Sequence, residues 1–395
     1  MKMKNIIKKQ QKTIFIGFIS VALFIICICT VCTAYAADKD NAKTPVDIPG
    51  LTYDHSMELS YAEEFSVDYY NDGYALITIN QEGQFLVVPE GKKAPKGLEK
   101  DITVIQQPLN NIYLVATSAM DLFRAIDGID SIRLSGTQEN GWYIQEAKDA
   151  MESGKMIYAG KYNAPDYELI LNEGCGLAIE STMIHHNPEV EEKLEQFGIP
   201  VMVERSSYES HPLGRTEWMK LYAVLLGKED VAEKAFKEQT DKLDKVLTSD
   251  DKDTGKTVAF FYINSTGAVN VRKNGDYVSN MIELAGGSYA LDDAQTASTS
   301  GSSVTLEMER FYATAKDAEI IVYNGTIDES VATLNDFVGK NALLSQFKAV
   351  KNGNVWVTSA DMYQQMTSTA DIIDELHGAF TGDDSSDFHY LRKLG

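Results

Sequence analysis

Short apolar runs alternate with helix-like segments along most of the chain, and this alternation limits the fold more than any other feature. Strand-like runs at 112–115, 131–134 and 177–179 are separated by helical segments such as 119–126, and the pattern resumes from residue 258. Strands that alternate with helices favour a parallel sheet with helices packed on its faces. The chain is therefore expected to form two α/β units.

A long amphipathic segment lies between these two units. Ala232, Phe236, Leu243 and Val246 fall on one face of the segment 229–247 at helical spacing. Such spacing predicts one continuous helix with a buried stripe. The helix would join the two α/β units, which then become two lobes.

Two stretches about 140 residues apart have loosely similar sequences: YELILNEGCGLAI at Tyr167–Ile179 and MERFYATAKDAEII at Met308–Ile321. In each, a glutamate (Glu168 or Glu309) opens a short helical pattern, a two-residue break follows, and an apolar strand comes next. The repetition indicates that the two lobes are built alike and that these glutamates occupy equivalent places.

The first 36 residues form an export segment. They contain five lysines and no acidic residue, then an apolar run at 13–32 and a small-x-small site at 34–36, which is typical of a signal peptide. The run is also long enough for an uncleaved anchor, and Cys32 leaves lipid attachment open.

Removal of this segment changes the net charge from -22 to -27. Nucleic acid would repel so acidic a chain, so no nucleic-acid partner is expected.

Residues 37–101 precede the first lobe. The polar part, to about residue 57, predicts a flexible tether. Two apolar runs, Tyr74–Ile79 and Phe85–Val88, are separated by Asn80–Gln84 and predict a β-hairpin. The region is therefore expected to be a small β-rich extension.

Motifs for enzymatic chemistry are missing from the sequence. It contains no P-loop, no GxSxG, no HExxH and no GxGxxG after a strand. Its six histidines show no metal-binding spacing, which disfavours a bare-metal site. A secreted hydrolase and an adhesion module stay as alternatives, but no enzyme, no resident metal and no cofactor are expected.

The order of these elements resembles the extracytoplasmic substrate-binding proteins of ABC importers, in the class for iron–siderophore complexes, haem and cobalamin. The resemblance runs from about residue 102 to the end. It rests on the two glutamate units, on Leu-Ala-Gly-Gly at Leu284–Gly287, and on Val-Lys-Asn-Gly at Val350–Gly353 before a strand at 355–357. The Pro-Asp pair usual in the glutamate units is replaced by Cys-Gly and Lys-Asp.

The resemblance implies an α/β fold with two Rossmann-like lobes joined by a single long backbone helix, after the small β-rich N-terminal extension. The expected divisions are 1–36 (signal peptide or anchor), 37–101 (tether and extension), 102–228 (lobe one), 229–249 (linking helix) and 250–395 (lobe two).

The resemblance also implies a function. The protein would bind an iron–siderophore complex between the lobes and deliver it to an ABC permease dimer with its ATPase; a corrinoid such as cobalamin, or haem, is the alternative. Glu168 and Glu309 match the family's permease-docking glutamates, although a glutamate at a helix start is also favoured by the helix dipole alone. A monomer is expected, outside the cytoplasm, at the membrane surface or secreted.

Ligands of open α/β sheets bind beyond the carboxyl ends of the strands. Aromatic and arginine side chains in those loops suit a flat or anionic ligand. Arg205 and Arg272 would pair with its anionic groups. In the segment 204–218, by contrast, a helix start at Ser210–Pro212 and a local Arg215–Glu217 salt bridge are the favoured interpretation. The expected ligand-binding residues are Tyr143, Met183, His185, Arg205, Tyr208, Arg272, Tyr277 and Tyr363, with Trp142 and Met362 as further candidates.

Overall fold

Three large β-sheets and one two-stranded ribbon form the framework of the described part of the chain. The computed structural model describes residues 45–249, 252–292, 302–383 and 387–395. The expected export segment lies outside the described residues. Residues 48–395 cluster into one compact unit.

The first sheet is N-terminal. Its strands run in the order β1-β2-β3-β4-β5, antiparallel except for the last pair. The expected hairpin is confirmed as β3 and β4. The tether prediction is wrong for residues 53–56, which form an edge strand, and residues 102–106 add the fifth strand to this sheet rather than opening the parallel sheet. The strands are β1 (Tyr53–Ser56), β2 (Phe65–Tyr70), β3 (Ala75–Ile79), β4 (Gly83–Val88) and β5 (Ile102–Gln106).

Lobe one is built on a parallel sheet of order β12-β11-β6-β7-β8, as the alternation predicts. A two-stranded ribbon, β9 with β10, lies beside it. The strands are β6 (Ile112–Leu114), β7 (Ile132–Ser135), β8 (Ile157–Tyr158), β9 (Gly160–Lys161), β10 (Ala164–Pro165), β11 (Leu177–Ser181) and β12 (Val201–Glu204). The helices are α1 (Ala119–Ala125), α2 (Gln145–Glu152), α3 (Tyr167–Asn172), α4 (Pro188–Gln196), α5 (Pro212–Glu217) and α6 (Met219–Leu226).

The long helix α7 (Glu229–Leu247) follows and has the bounds that its apolar spacing predicts. Lobe two then forms on a mixed sheet of order β16-β14-β13-β17-β18-β19, with β15 beside β13. Its centre, β13-β17-β18, is parallel and its outer pairs are antiparallel. The strands are β13 (Lys256–Ile263), β14 (Val269–Arg272), β15 (Gly287–Tyr289), β16 (Ser303–Leu306), β17 (Ile320–Tyr323), β18 (Val355–Thr358) and β19 (Leu391–Lys393). The helices are α8 (Tyr277–Leu284), α9 (Met308–Ala315), α10 (Leu334–Lys340), α11 (Lys348–Lys351) and α12 (Thr369–Thr381).

A continuous hydrophobic core connects all three sheets. Helix α7 packs on α6 of lobe one and on α12 of lobe two, so it contacts both lobes. Buried side chains of the N-terminal sheet join the same core, with the ring of Phe65 5.0 Å from that of Trp218. Burial of such large apolar side chains is the main stabilising contribution in a fold of this kind. The N-terminal sheet is thus an integral layer rather than an appendage.

Candidate functional site

The carboxyl ends of the strands in the lobe-one sheet and the lobe-two sheet face each other, and the loops that follow them are in contact. The backbone N–H of Tyr143, after β7, donates to Oε1 of Gln364, after β18, at 2.9 Å. The Tyr143 hydroxyl donates to Glu329 at 3.2 Å, and Gln364 donates to the Gly141 carbonyl at 2.8 Å. On another side, Asn280 donates to the carbonyl of Ser210 at 2.8 Å. These contacts define the region between the lobes where a ligand of an open α/β fold would bind.

Exposed apolar side chains occur in several of the loops at these strand ends. Tyr143, Met183 and Tyr208 belong to loops that follow strands of lobe one, and Ile327 follows β17 of lobe two. Each of these four side chains is at least 40% exposed. A cavity of about 590 Å³ beside Glu329 is lined by residues of lobe two between 325 and 393, so it adjoins the region between the lobes without including its floor. Exposed apolar groups around a concave region are typical of a ligand or partner site.

Two arginines and a tyrosine form the floor between the lobes. The guanidinium carbons of Arg215 and Arg272 lie 3.8 Å and 4.9 Å from the centre of the Tyr277 ring. At these distances the aromatic face stabilises both cations. Tyr363 accepts a hydrogen bond from Asn324 at 2.8 Å, and it lies close enough to Arg272 for the two to interact electrostatically. The structure therefore brings together three of the expected ligand residues: Arg272, Tyr277 and Tyr363.

Arg272 is already neutralised within the protein. Its Nε and Nη2 donate to the two carboxylate oxygens of Asp276 at 2.8 Å and 2.6 Å. Asp276 also caps helix α8 by accepting from the Val278 N–H. A bidentate pair of this kind is among the strongest side-chain interactions and leaves little charge for an anionic ligand.

Arg215 differs, because it is buried and has no bidentate carboxylate partner among the described residues. Its side chain makes no ion pair with any described residue, and its Nε has no hydrogen-bond partner. Two other buried polar atoms near the strand ends also lack partners among the described residues: Oδ1 of Asn324 and Oγ of Ser359. Buried polar groups normally find partners, so these atoms are suited to bind polar groups of a ligand.

A buried carboxyl group lies near Arg215. Glu204 ends β12 and accepts from the Ser206 N–H at 2.9 Å and from the Ser118 hydroxyl at 3.3 Å. Burial raises the pKa of Glu204, and hydrogen bonds from Ser206 and the Arg215 charge act against this. Ser118 therefore does not cap helix α1 with its side chain, although its position before the helix suggests a cap.

Arg205 directly follows Glu204 at the end of β12, and its side chain contacts the N-terminal sheet region. Its Nε donates to Glu64 at 2.8 Å and its Nη1 to Glu82 at 3.1 Å. Burial alone would lower the pKa of Arg205, but the two carboxylates raise it overall. The guanidinium also lies 4.3 Å from the centre of the Tyr208 ring. Contrary to the expectation from the sequence, carboxylates of the protein itself pair with Arg205 in place of an anionic ligand.

Three further candidates have distinct environments. The His185 ring lies 3.2 Å from Glu82 and stays about half exposed. Trp142 is buried in the core and donates to Ser135, so it does not face a ligand. Met362 is also buried. These two packing roles were not apparent from residue type alone.

The segment 204–218 has a structural role that its sequence only partly indicates. The helix does begin at Pro212, where His211 accepts from the Leu213 N–H. The expected Arg215–Glu217 salt bridge is wrong, because Glu217 instead pairs with Lys220 at 3.2 Å and accepts from backbone N–H groups of residues 60–62. Arg215 was missed as a site residue for the same reason.

Glu168 and Glu309 lie in the first turns of helices α3 and α9. Both are exposed, and neither makes an ion pair with a described residue. The Asp166 carboxylate caps α3, so the Glu168 carboxylate is not needed for the helix start. Both glutamates are therefore available to a partner.

A resident metal site is not apparent in the described part of the chain. Within residues 45–249, 252–292, 302–383 and 387–395, no three histidine, cysteine or acidic side chains are grouped so that they could hold a metal ion. Among the same residues, no helix is both long and apolar enough to span a membrane.

Comparison with known proteins identifies sequence and structural relatives. The family model described as periplasmic binding protein matches residues 116–362. An uncharacterized lipoprotein of Methanocaldococcus jannaschii is 26% identical over 356 residues, which cover 83% of this chain and 81% of the relative.

Two solved structures resemble the fold. The periplasmic haem-binding protein of Vibrio cholerae superimposes with a TM-score of 0.54 at 16% identity, over 68% of this chain and 98% of the other. The triscatecholate siderophore-binding protein of Bacillus subtilis gives a TM-score of 0.54 at 16% identity, over 70% of this chain and 94% of the other. The superpositions show a shared fold, and at identities this low they carry no information about the ligand.

Proposed function

Because the chain belongs to the periplasmic binding protein family, whose model covers more than half of its length, we propose that it captures an iron–siderophore complex between its lobes and delivers it to an ABC importer. Proteins of this family are transport receptors and not enzymes, and the chain is a solute-binding receptor. A corrinoid or haem is the alternative ligand. The lobe divisions belong to this proposal, with lobe one starting after β5, at residues 107–228, lobe two at 250–395, and the rigid helix 229–247 joining them.

One observation carries the proposal. Loops at the facing edges carry exposed apolar side chains, and Arg215 and Asn324 have buried polar atoms without a partner among the described residues. An organic chelate around a metal ion has apolar or aromatic faces for these apolar side chains and oxygen acceptors for the arginine. Ligand sites commonly combine an apolar lining with a few well-placed polar groups.

Delivery requires a permease, and Glu168 with Glu309 are the proposed docking groups. Both carboxylates are exposed on equivalent helices of the two lobes, so each lobe can place one acidic group against a basic pocket of a permease dimer. Complementary charge of this kind steers association and fixes orientation. A monomeric receptor would place one glutamate on each half of the dimer.

Uptake of a radiolabelled ferric chelate by cells tests the docking step. The Glu168→Ala/Glu309→Ala variant should bind the chelate normally but reduce uptake by about tenfold or more, because two charge pairs are lost. A matched control, Glu192→Ala/Glu238→Ala, removes two exposed glutamates elsewhere and should leave uptake unchanged. Normal uptake by the first variant would contradict the docking proposal.

We also propose that the N-terminal segment holds the receptor at the outer face of the membrane. The archaeal relatives are named lipoproteins, and residues 13–32 are apolar. The mass of the membrane-extracted protein distinguishes a retained anchor from lipid on a cysteine. A protein found only in the medium, with residues 1–36 removed, would contradict this proposal.

A further inference from the structure

The N-terminal sheet is fixed to lobe one by two buried carboxylates. Glu217 accepts hydrogen bonds from the backbone N–H groups of residues 60–62 at 2.8–3.1 Å. Glu209 accepts from the N–H groups of Glu63 and Glu64 at 2.8 Å and 3.0 Å, and from the Trp218 ring at 2.8 Å. Hydrogen bonds to a charged acceptor are stronger than neutral ones. The segment 60–64 therefore has a defined position against lobe one.

This attachment places two acidic side chains at a loop of the ligand region. Glu64 follows the fixed segment, and Glu82 lies in the turn between β3 and β4. Both pair with Arg205, the residue directly after β12, and Glu82 also contacts His185, in the loop after β11. The side chains of Arg205 and Glu82 are only 8% and 6% exposed. Screening by solvent is weak at such burial.

These two carboxylates and Arg205 together carry one net negative charge, whereas Arg215, outside this cluster, is a cation on the floor between the lobes. The other expected anion-binding arginine, Arg272, is matched by Asp276. Glu329 adds a further carboxylate where the loops of the two lobes meet. A ligand with several negative charges would therefore approach like charges in a partly desolvated region, and repulsion there discriminates between ligands of similar shape.

Resting on the proposed function above, we propose that the N-terminal sheet is a specificity element of the receptor. Glu64 and Glu82 hold Arg205 in a cluster of net negative charge, which disfavours strongly anionic chelates and favours neutral or cationic ones. Ferric triscatecholates, with three negative charges, belong to the first class. Ferric trihydroxamates, which are neutral or positive, belong to the second.

Two ferric chelates of similar size test the idea with the full-length protein in detergent. A ferric triscatecholate and a ferric trihydroxamate are titrated while intrinsic fluorescence is recorded, for the wild type and for Glu64→Gln/Glu82→Gln. The wild type should bind the trihydroxamate at least about tenfold more tightly, and the variant should reduce that ratio by about tenfold. Glu90→Gln/Glu99→Gln, which removes two exposed charges from the same region, should keep the wild-type ratio.

The outcomes separate the two proposals. Binding of both chelates with a ratio that the Glu64/Glu82 variant does not change would overturn the specificity role alone. A wild-type preference for the triscatecholate would also overturn it. If neither chelate binds to the wild type or to the variant, both the specificity role and the iron–siderophore function fail. If the variant does not fold, as shown by its near-ultraviolet circular dichroism, the wild-type ratio decides, and weaker discrimination at high salt supports the proposal.

Discussion

Glu180 gives the sharpest prediction about stability. The residue lies on β11 in the core of lobe one; its side chain is fully buried, and neither carboxyl oxygen has a hydrogen-bond partner among the described residues. Burial, with a smaller contribution from Glu191, raises the pKa of Glu180 to about 8 from 4.5. Glu180→Gln replaces the group with a side chain of nearly the same shape that stays neutral at every pH.

The sign and size of the effect follow from this shift. Between about pH 4.5 and pH 8 the folded protein binds a proton at Glu180 that the unfolded chain has released. The free energy of unfolding of the wild type therefore falls as the pH rises through this window. The rise of the Glu180 pKa from 4.5 to about 8 corresponds to an upper limit of about 5 kcal/mol, and the free energy of unfolding is expected to fall by about 2 kcal/mol or more across this window.

Urea unfolding of both proteins at about pH 5, pH 6.5 and pH 9 measures this difference. The free energy of unfolding of the wild type minus that of Glu180→Gln should fall steadily as the pH rises. The control Glu192→Gln, at an exposed position on α4, should follow the wild type. A wild-type-minus-variant difference that stays constant over this range would refute the account of Glu180 as a neutral buried acid.

Two further variants test other buried charges. Glu217→Gln should lower the free energy of unfolding by about 3 kcal/mol or more, because Lys220 and three backbone N–H groups lose a buried carboxylate. The control Glu233→Gln removes the exposed partner of the same lysine and should lower the free energy of unfolding by less than about 1 kcal/mol. If urea unfolding gave equal losses for the two variants, the role of Glu217 in attaching the N-terminal sheet would be contradicted. Arg215→Met should weaken chelate binding by about tenfold and cost less than about 1 kcal/mol of stability, since the arginine makes no ion pair with a described residue and its described contact is with the Tyr277 ring. A larger loss of stability with unchanged affinity would assign it a purely structural role.

Elements with a strong local pattern were predictable from the sequence. The helix 229–247 has a regular apolar stripe, and its bounds agree with the structure. Strand 320–323 is a short run of apolar residues and is fully buried, as expected for the centre of a parallel sheet. In contrast, strand Tyr53–Ser56 is exposed along its length, so no apolar alternation marks it.

Contacts between distant segments explain why the site could be predicted only in part. Residue type and position in a loop after a strand were sufficient to predict that Arg272, Tyr277 and Tyr363 lie in one region. Arg205, however, meets Glu64 and Glu82, which precede it by more than 100 residues, and no local pattern encodes that pairing. The availability of Arg215 likewise depends on Glu217 being used elsewhere.

The central claim is that the protein binds a metal chelate between its lobes. Intrinsic fluorescence of the full-length protein, titrated in turn with a ferric catecholate, a ferric hydroxamate, cyanocobalamin and haem and corrected for ligand absorbance, tests it most directly. We predict saturable quenching by the ferric hydroxamate at roughly micromolar concentration or below. The absence of a saturable response to all four ligands would contradict the claim.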